Sequence, residues 1–115
     1  MRHDVILSKM ITYAETIQSY CAGLDHDGFL ASPVVVDACV FNLSQIGELA
    51  GKVDDAFRAA HSEIKWSQIK GLRNKIVHDY EGVNKELIWE IIGEDIPRLI
   101  SDLKEIVQED TSINE

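Results

Sequence analysis

The sequence predicts an all-α fold: an antiparallel bundle of four main helices with one additional short helix and a kinked C-terminal helix, in a single domain over residues 1–115. Three observations predict it. Apolar residues recur at helical spacing through most of the chain, and no segment shows the apolar–polar alternation of a half-buried strand. Breaks at Asp25 to Gly28, Ser32-Pro33, Ser62 to Lys65 and Glu81-Gly82 divide the chain into helix-length pieces. With 45% hydrophobic and 27% charged residues among 115, there is material for one core. There is little left over to wall an elaborate cleft, so an active site shared between two subunits suits the size.

Taken in order, Ile6, Met10, Tyr13, Ile17, Cys21 and Leu24 follow a period near 3.6 and define an amphipathic helix over about the first 22 residues. Asp25-His26-Asp27-Gly28 ends it, with His26 read as a solvated turn residue that shares no metal-ligand spacing with His3 or His61. Ser32 is placed to cap the next helix and Pro33 suits its first position. That helix runs to about Lys52 and is apolar around nearly its whole circumference, as expected of a central helix packed on several sides. Asp37 and Glu48, its only charges between Val34 and Gly51, lie about 20° apart in projection, with Ser44 on the same strip. A short helix anchored by Phe57 spans Asp54 to His61, and His61 is expected near a helix end. After Glu81-Gly82, Asn84 is placed to cap the last helix, whose apolar residues from Leu87 to Val107 keep phase across Pro97. A kinked helix is expected there rather than two, with the proline removing a hydrogen bond to Gly93, and the tail from Glu109 is expected to fray.

The segment from Trp66 to Tyr80 carries the polar residues that core packing does not explain. Wound as one helix, it places Trp66, Ile69, Leu72, Ile76, Val77 and Tyr80 on an apolar arc with Arg73 in its middle. An arginine there needs a carboxylate, a phosphate or an interface. Two readings of Glu48 stay open: a member of a narrow solvent-facing seam with Asp37, or the partner that holds Arg73 in place. Ser67, Gly71, Asn74 and His78 form a second, small and polar stripe flanked by Lys70 and Lys75. Such a stripe either admits a second backbone or presents polar groups to a ligand. Arg73 and His78 stand about 140° apart on a helix, so convergence calls for another element or a second subunit.

Composition narrows the function classes. The formal charge of −9 argues against a broad nucleic-acid footprint, so any RNA contact is local, around Lys70, Arg73 and Lys75. The same acidity suits a basic protein partner. Cys21 and Cys39 lack the spacing of a zinc or redox site and read as buried free thiols. No apolar run approaches a membrane span in this reading and no cleavable signal opens the chain, so a cytoplasmic protein without a membrane partner is expected. No metal and no cofactor are expected.

Cutting RNA without a metal requires a base for the 2′-hydroxyl proton, an acid for the leaving oxygen and a cation for the charge that builds on phosphorus. Histidine performs either proton transfer near neutral pH, and arginine offers a two-pronged donor set to phosphate. The pattern Arg73, four residues, His78, one residue, Tyr80 resembles the Arg-x4-His-x-Tyr signature of HEPN-domain proteins, specifically the HepT-like ribonuclease toxins paired with MNT nucleotidyltransferase antitoxins. Ile46-Gly47-Glu48, Trp66, Gly71-Leu72-Arg73-Asn74 and the stretch from Trp89 to Pro97 also look like that family, so the resemblance covers most of the chain. Asn84 departs from it, standing where relatives often have an aspartate.

The resemblance implies a helical bundle that forms a two-fold homodimer and acts as a metal-independent endoribonuclease toxin of a type VII-like toxin–antitoxin pair. Arg73 would stabilise phosphate charge, His78 would be the acid/base group, and Asn74 would position substrate or histidine, with Glu48, Lys70 and Lys75 in support. The product would be a 2′,3′-cyclic phosphate, and the antitoxin would neutralise the toxin by adenylylating Tyr80. HEPN domains also serve without catalysis, so one alternative is a nucleotide- or substrate-binding subunit of a two-chain nucleotidyltransferase. Another is a helical interaction protein whose Gly71 stripe only packs.

Overall fold

The computed structural model describes residues 3–78 and 82–114 and is the all-α bundle expected. Helix α1 (His3–Cys21) turns one face inward, burying Ile6, Leu7, Met10, Ala14 and Ile17. The expected turn after it contains instead a short helix α2 (His26–Leu30), because the Asp25 carboxylate accepts the Gly28 N–H at 2.8 Å and caps it. His26 opens this helix, and its Nε2 lies 2.6 Å from Glu86 Oε2, so it ties two parts of the chain together rather than simply meeting solvent.

Helix α3 (Pro33–Gly51) begins at Pro33 as expected, but Ser32 does not cap it with its side chain. The Ser32 hydroxyl donates to the Gly28 carbonyl at 2.8 Å, because α2 ends immediately before it and leaves that oxygen within reach. Helix α3 is the centre of the bundle, touching α1, α2 and the segments that follow, and it buries Val36, Cys39, Leu43, Ile46, Leu49 and Ala50. At 19 residues and a mean hydropathy of 1.2 it is long and apolar enough to cross a bilayer, contrary to the expectation that no run would be. Central packing accounts for that composition. The buried polar side chain of Asn42 is satisfied within the helix, donating to Ala38 O at 2.7 Å.

Helix α4 (Asp55–Ala60) is capped by Asp54 and held by Phe57, whose ring lies 4.3 Å from that of His3 and 4.5 Å from that of His61. The stack fastens the start of α1 to α4. At the far end, α7 (Lys85–Glu90), a π turn (Ile91–Asp95) and α8 (Ile96–Asn114) form one uninterrupted helical run. The distortion expected at Pro97 therefore takes the form of a π turn just before it, in which the Ile96 N–H reaches back to Ile91 O. The helical backbone of α8 extends past Glu109 to Asn114. It buries Ile96, Leu99, Ile100, Leu103 and Ile106 and packs on α1. Full burial of one such side chain contributes about 1.5–3 kcal/mol, which makes these three helical faces the main stabilising term.

Candidate active site

The segment that carries the motif is not one helix. It is α5 (Trp66–Lys70), a single residue Gly71, and α6 (Leu72–Ile76), followed by extended backbone. Strand β1 (Val77–His78) pairs antiparallel with β2 (Gly82–Val83), Val77 opposite Val83 and His78 opposite Gly82, and Asn84 N–H closes the hairpin on Ile76 O at 2.8 Å. Glycine is about 1 kcal/mol poorer than alanine inside a helix, which favours the break at Gly71. Two valines suit extended backbone, and Gly82 supplies the φ of +88° that the return requires. The sequence signal for this hairpin was Val77 and Val83 around a short polar run ending in glycine. Asp79, Tyr80 and Glu81 lie outside the described residues, so the expected place of Tyr80 on the apolar arc does too. Of His78 the backbone is described and the side chain is not.

The break changes where Arg73 points. Trp66, Leu72 and Ile76 are buried and Ile69 and Val77 partly so, which is the arc expected, but Arg73 is exposed rather than centred on it. With α6 only one turn long, Leu72 and Ile76 set the inward direction and Arg73 points about 80° away from it. Asn74, Lys75, Lys70 and Ser67 are exposed as well, and Gly71 is half-buried. Since His78 has left the helix, Ser67, Gly71 and Asn74 do not continue into it as one helical stripe.

Glu48 is exposed on the outer strip of α3 with Asp37, and among the described residues no ion pair joins it to Arg73. The seam is thus the arrangement observed. Val34 and Phe41 share that strip and are 82% and 57% exposed. Lys70, Arg73 and Lys75 likewise have no carboxylate partner at ion-pair distance among the described residues. Three unpaired cations on six consecutive residues form a local basic surface on an acidic chain, of the kind that suits phosphate.

This surface is held in place by a close approach of backbones. A Cβ on Gly47 of α3 would stand 3.0 Å from the Ile69 carbonyl, and one on Gly51 would meet the Lys70 stem at 3.6 Å. The absence of side chains at both positions lets α5 lie against α3, with the Lys70 stem along α3 and its ammonium in solvent. The chain's two thiols lie elsewhere, in the core, 3.7 Å apart, hydrogen-bonded and not joined by a disulfide. Burial pushes the Cys21 thiol up and the Cys39 thiol up to about 12, so both are neutral packing groups. Among the described residues no three His, Cys, Asp or Glu side chains gather closely enough to share a metal ion.

Along nearly its whole length the chain is similar to known proteins. The family described as "Ribonuclease HepT-like" matches residues 10–106. A chain of Caldanaerobacter subterraneus subsp. tengcongensis named "Putative RNase" is 36% identical over 104 residues, covering 90% of this chain and 93% of that one. The "Probable ribonuclease HepT" of Thermococcus cleftensis is 29% identical over 97 residues, covering 84% and 88%. A Methanocaldococcus jannaschii chain named "Gamma-glutamylcyclotransferase and putative RNase" is 30% identical over 111 residues, which is 95% of this chain but 50% of that one. No solved structure matches. On the extent of the family match and the similarity along nearly the whole length, the chain belongs to the HepT-like ribonuclease family.

Proposed function

We propose that the protein is a metal-independent endoribonuclease whose reacting groups come from the α6–β1 segment. The observation that carries this reading is the exposed Arg73, without an ion-pair partner among the described residues, five residues before His78 in a chain of a ribonuclease family. In the proposed reaction the 2′-oxygen of RNA attacks the adjacent phosphorus as His78 takes its proton. The bond to the 5′-oxygen breaks, that oxygen receives a proton from an acid or water, and the fragments carry a 2′,3′-cyclic phosphate and a 5′-hydroxyl. Arg73 compensates the charge that grows on the phosphate oxygens, Lys70 and Lys75 hold the flanking backbone, and Asn74, at the outermost point of α6, positions the strand. Glu48, next to Gly47 at the contact of α3 with α5, is proposed as a supporting residue. The protein is further proposed to be a toxin held in check by a nucleotidyltransferase that transfers AMP to Tyr80, adding bulk and negative charge two residues from His78.

The test is cleavage of RNA by purified protein in excess chelator. Arg73→Ala and His78→Ala are each expected to reduce it at least a hundredfold, the range set by losing a charge stabiliser or an acid/base group, with helical circular dichroism unchanged. Full activity in either variant, or activity that needs a divalent ion, overturns the reading. Wild-type protein that binds RNA without cutting it favours the non-catalytic binding subunit instead. Intact-mass measurement after co-expression with the cognate nucleotidyltransferase should show added AMP that Tyr80→Phe prevents, and an unmodified Tyr80 in a neutralised complex rejects that part of the proposal.

A further inference from the structure

Beside the motif segment, α5 and α6 face the π turn and the start of α8 across a groove of about 130 Å³. We propose that this groove binds the pyrimidine base of an RNA nucleotide next to the one that is cut. The identity of the ligand rests on the ribonuclease reading; the existence of the site does not. A dry cavity of roughly 150 Å³ accommodates benzene, so this volume matches one six-membered ring. Its floor is apolar and buried, formed by Ile64, Leu72, Ile96 and Leu99.

The rim has the opposite character. Lys65, Lys75 and Arg98 surround the floor together with Glu63, Asp95 and Asp102; Glu63 lies 3.7 Å from His61, and among the described residues the other five take part in no ion pair. Cations at the mouth meet the phosphate of a bound nucleotide. Carboxylates accept hydrogen bonds from the amino group of cytosine or the ring N–H of uracil. Lys75 also joins the groove to the motif. Measured over the outer face of α6, by way of Asn74, it lies about 200° from Arg73, so a strand whose phosphate lies at Arg73 wraps over the outside of α6 to reach it.

The π turn forms one wall of this groove. Ile91 and Ile96 both line the groove although five residues separate them, which in a regular α-helix would set them about 140° apart. The wider turn brings them to one side. Pro97, which has no N–H to offer the Gly93 carbonyl, accounts for a turn of this kind forming here, and Gly93 within it is exposed. Such turns are frequent at functional sites.

The experiment is a titration of isotope-labelled protein with cytidine 5′-monophosphate, followed by amide NMR, beside Gln68→Trp and Arg98→Glu. Both residues are exposed and line the groove, so the first variant obstructs it and the second reverses a rim charge without touching the core. Saturable shifts at Leu72, Gly93 and Leu99 are expected, several-fold weaker with adenosine monophosphate and absent in both variants while their spectra stay dispersed. In cleavage mapping the variants should lose a pyrimidine preference beside the cut and raise KM several-fold, with kcat retained. Groove shifts in a protein that cuts no RNA uphold this site and sink the ribonuclease reading. Cleavage without nucleotide shifts, an unaltered cleavage pattern in both variants, or shifts that appear only with a protein partner overturn the site.

Discussion

At Asp54 one carboxylate performs two tasks: it accepts the Phe57 N–H at 2.8 Å, capping α4, and lies 2.8 Å from the His3 imidazole on α1. The Phe57 N–H, and secondarily His3, hold its pKa below the ordinary value of 3.8. A folded-state pKa that is depressed means stabilisation fully present above the unfolded value and lost as pH falls through the folded one. Asp54→Ala should therefore melt a few degrees below wild type at pH 7, and the gap should close as pH drops below about 3.9. Thermal melts followed by circular dichroism at several pH values decide it, since a gap that stays constant down to pH 2.5 removes the carboxylate from the account. Arg73 shows where residue-scale reading ran short. Its identity as an unexplained cation was legible, but its direction depended on whether the helix passed through Gly71 unbroken, and side-chain spacing does not encode that.

Among the elements, the long helices were legible because each repeats its apolar positions over several turns. The hairpin was not: two residues per strand leave no alternation to detect, and its stability comes from pairing with residues beyond the turn. Nor was α2, a single capped turn inside a run that reads as a loop. The contact between α3 and α5 could be suspected from Gly47 and Gly51 but not placed. Because the atom facing Gly47 is backbone oxygen at 3.0 Å, Gly47→Val should force the two elements apart and destabilise by about 1–3 kcal/mol in urea unfolding. Gly93→Ala, with open space around it, should instead be neutral or stabilising by about 0.4–1 kcal/mol. Equal effects at the two positions would show that helix propensity, not the close approach, sets the cost.

For the whole molecule, the bundle followed from periodicity and connection lengths, whereas the site did not, because its parts belong to a break, a hairpin and one flank of α8. We propose that two copies associate around α6 and the outer strip of α3. Support comes from the apolar side chains of Val34 and Phe41 left in solvent there, and from a motif segment that offers one imidazole and one guanidinium per chain. Light scattering should report twice the chain mass of 12.9 kDa, and Gly71→Leu should weaken association and cleavage together. A monomer that cuts RNA at working concentration refutes this. The pairing of the first and last helices, fastened by Lys104 and Glu15 at 3.0 Å across 89 residues of sequence, sets an order in time. On the ribosome, α1 waits with one flank uncovered until α8 emerges, and the segment from Leu72 to Val83 is already synthesised by then. Translation thus delivers the motif before the bundle that supports it, and the site is finished only once α8 has emerged and packed on α1.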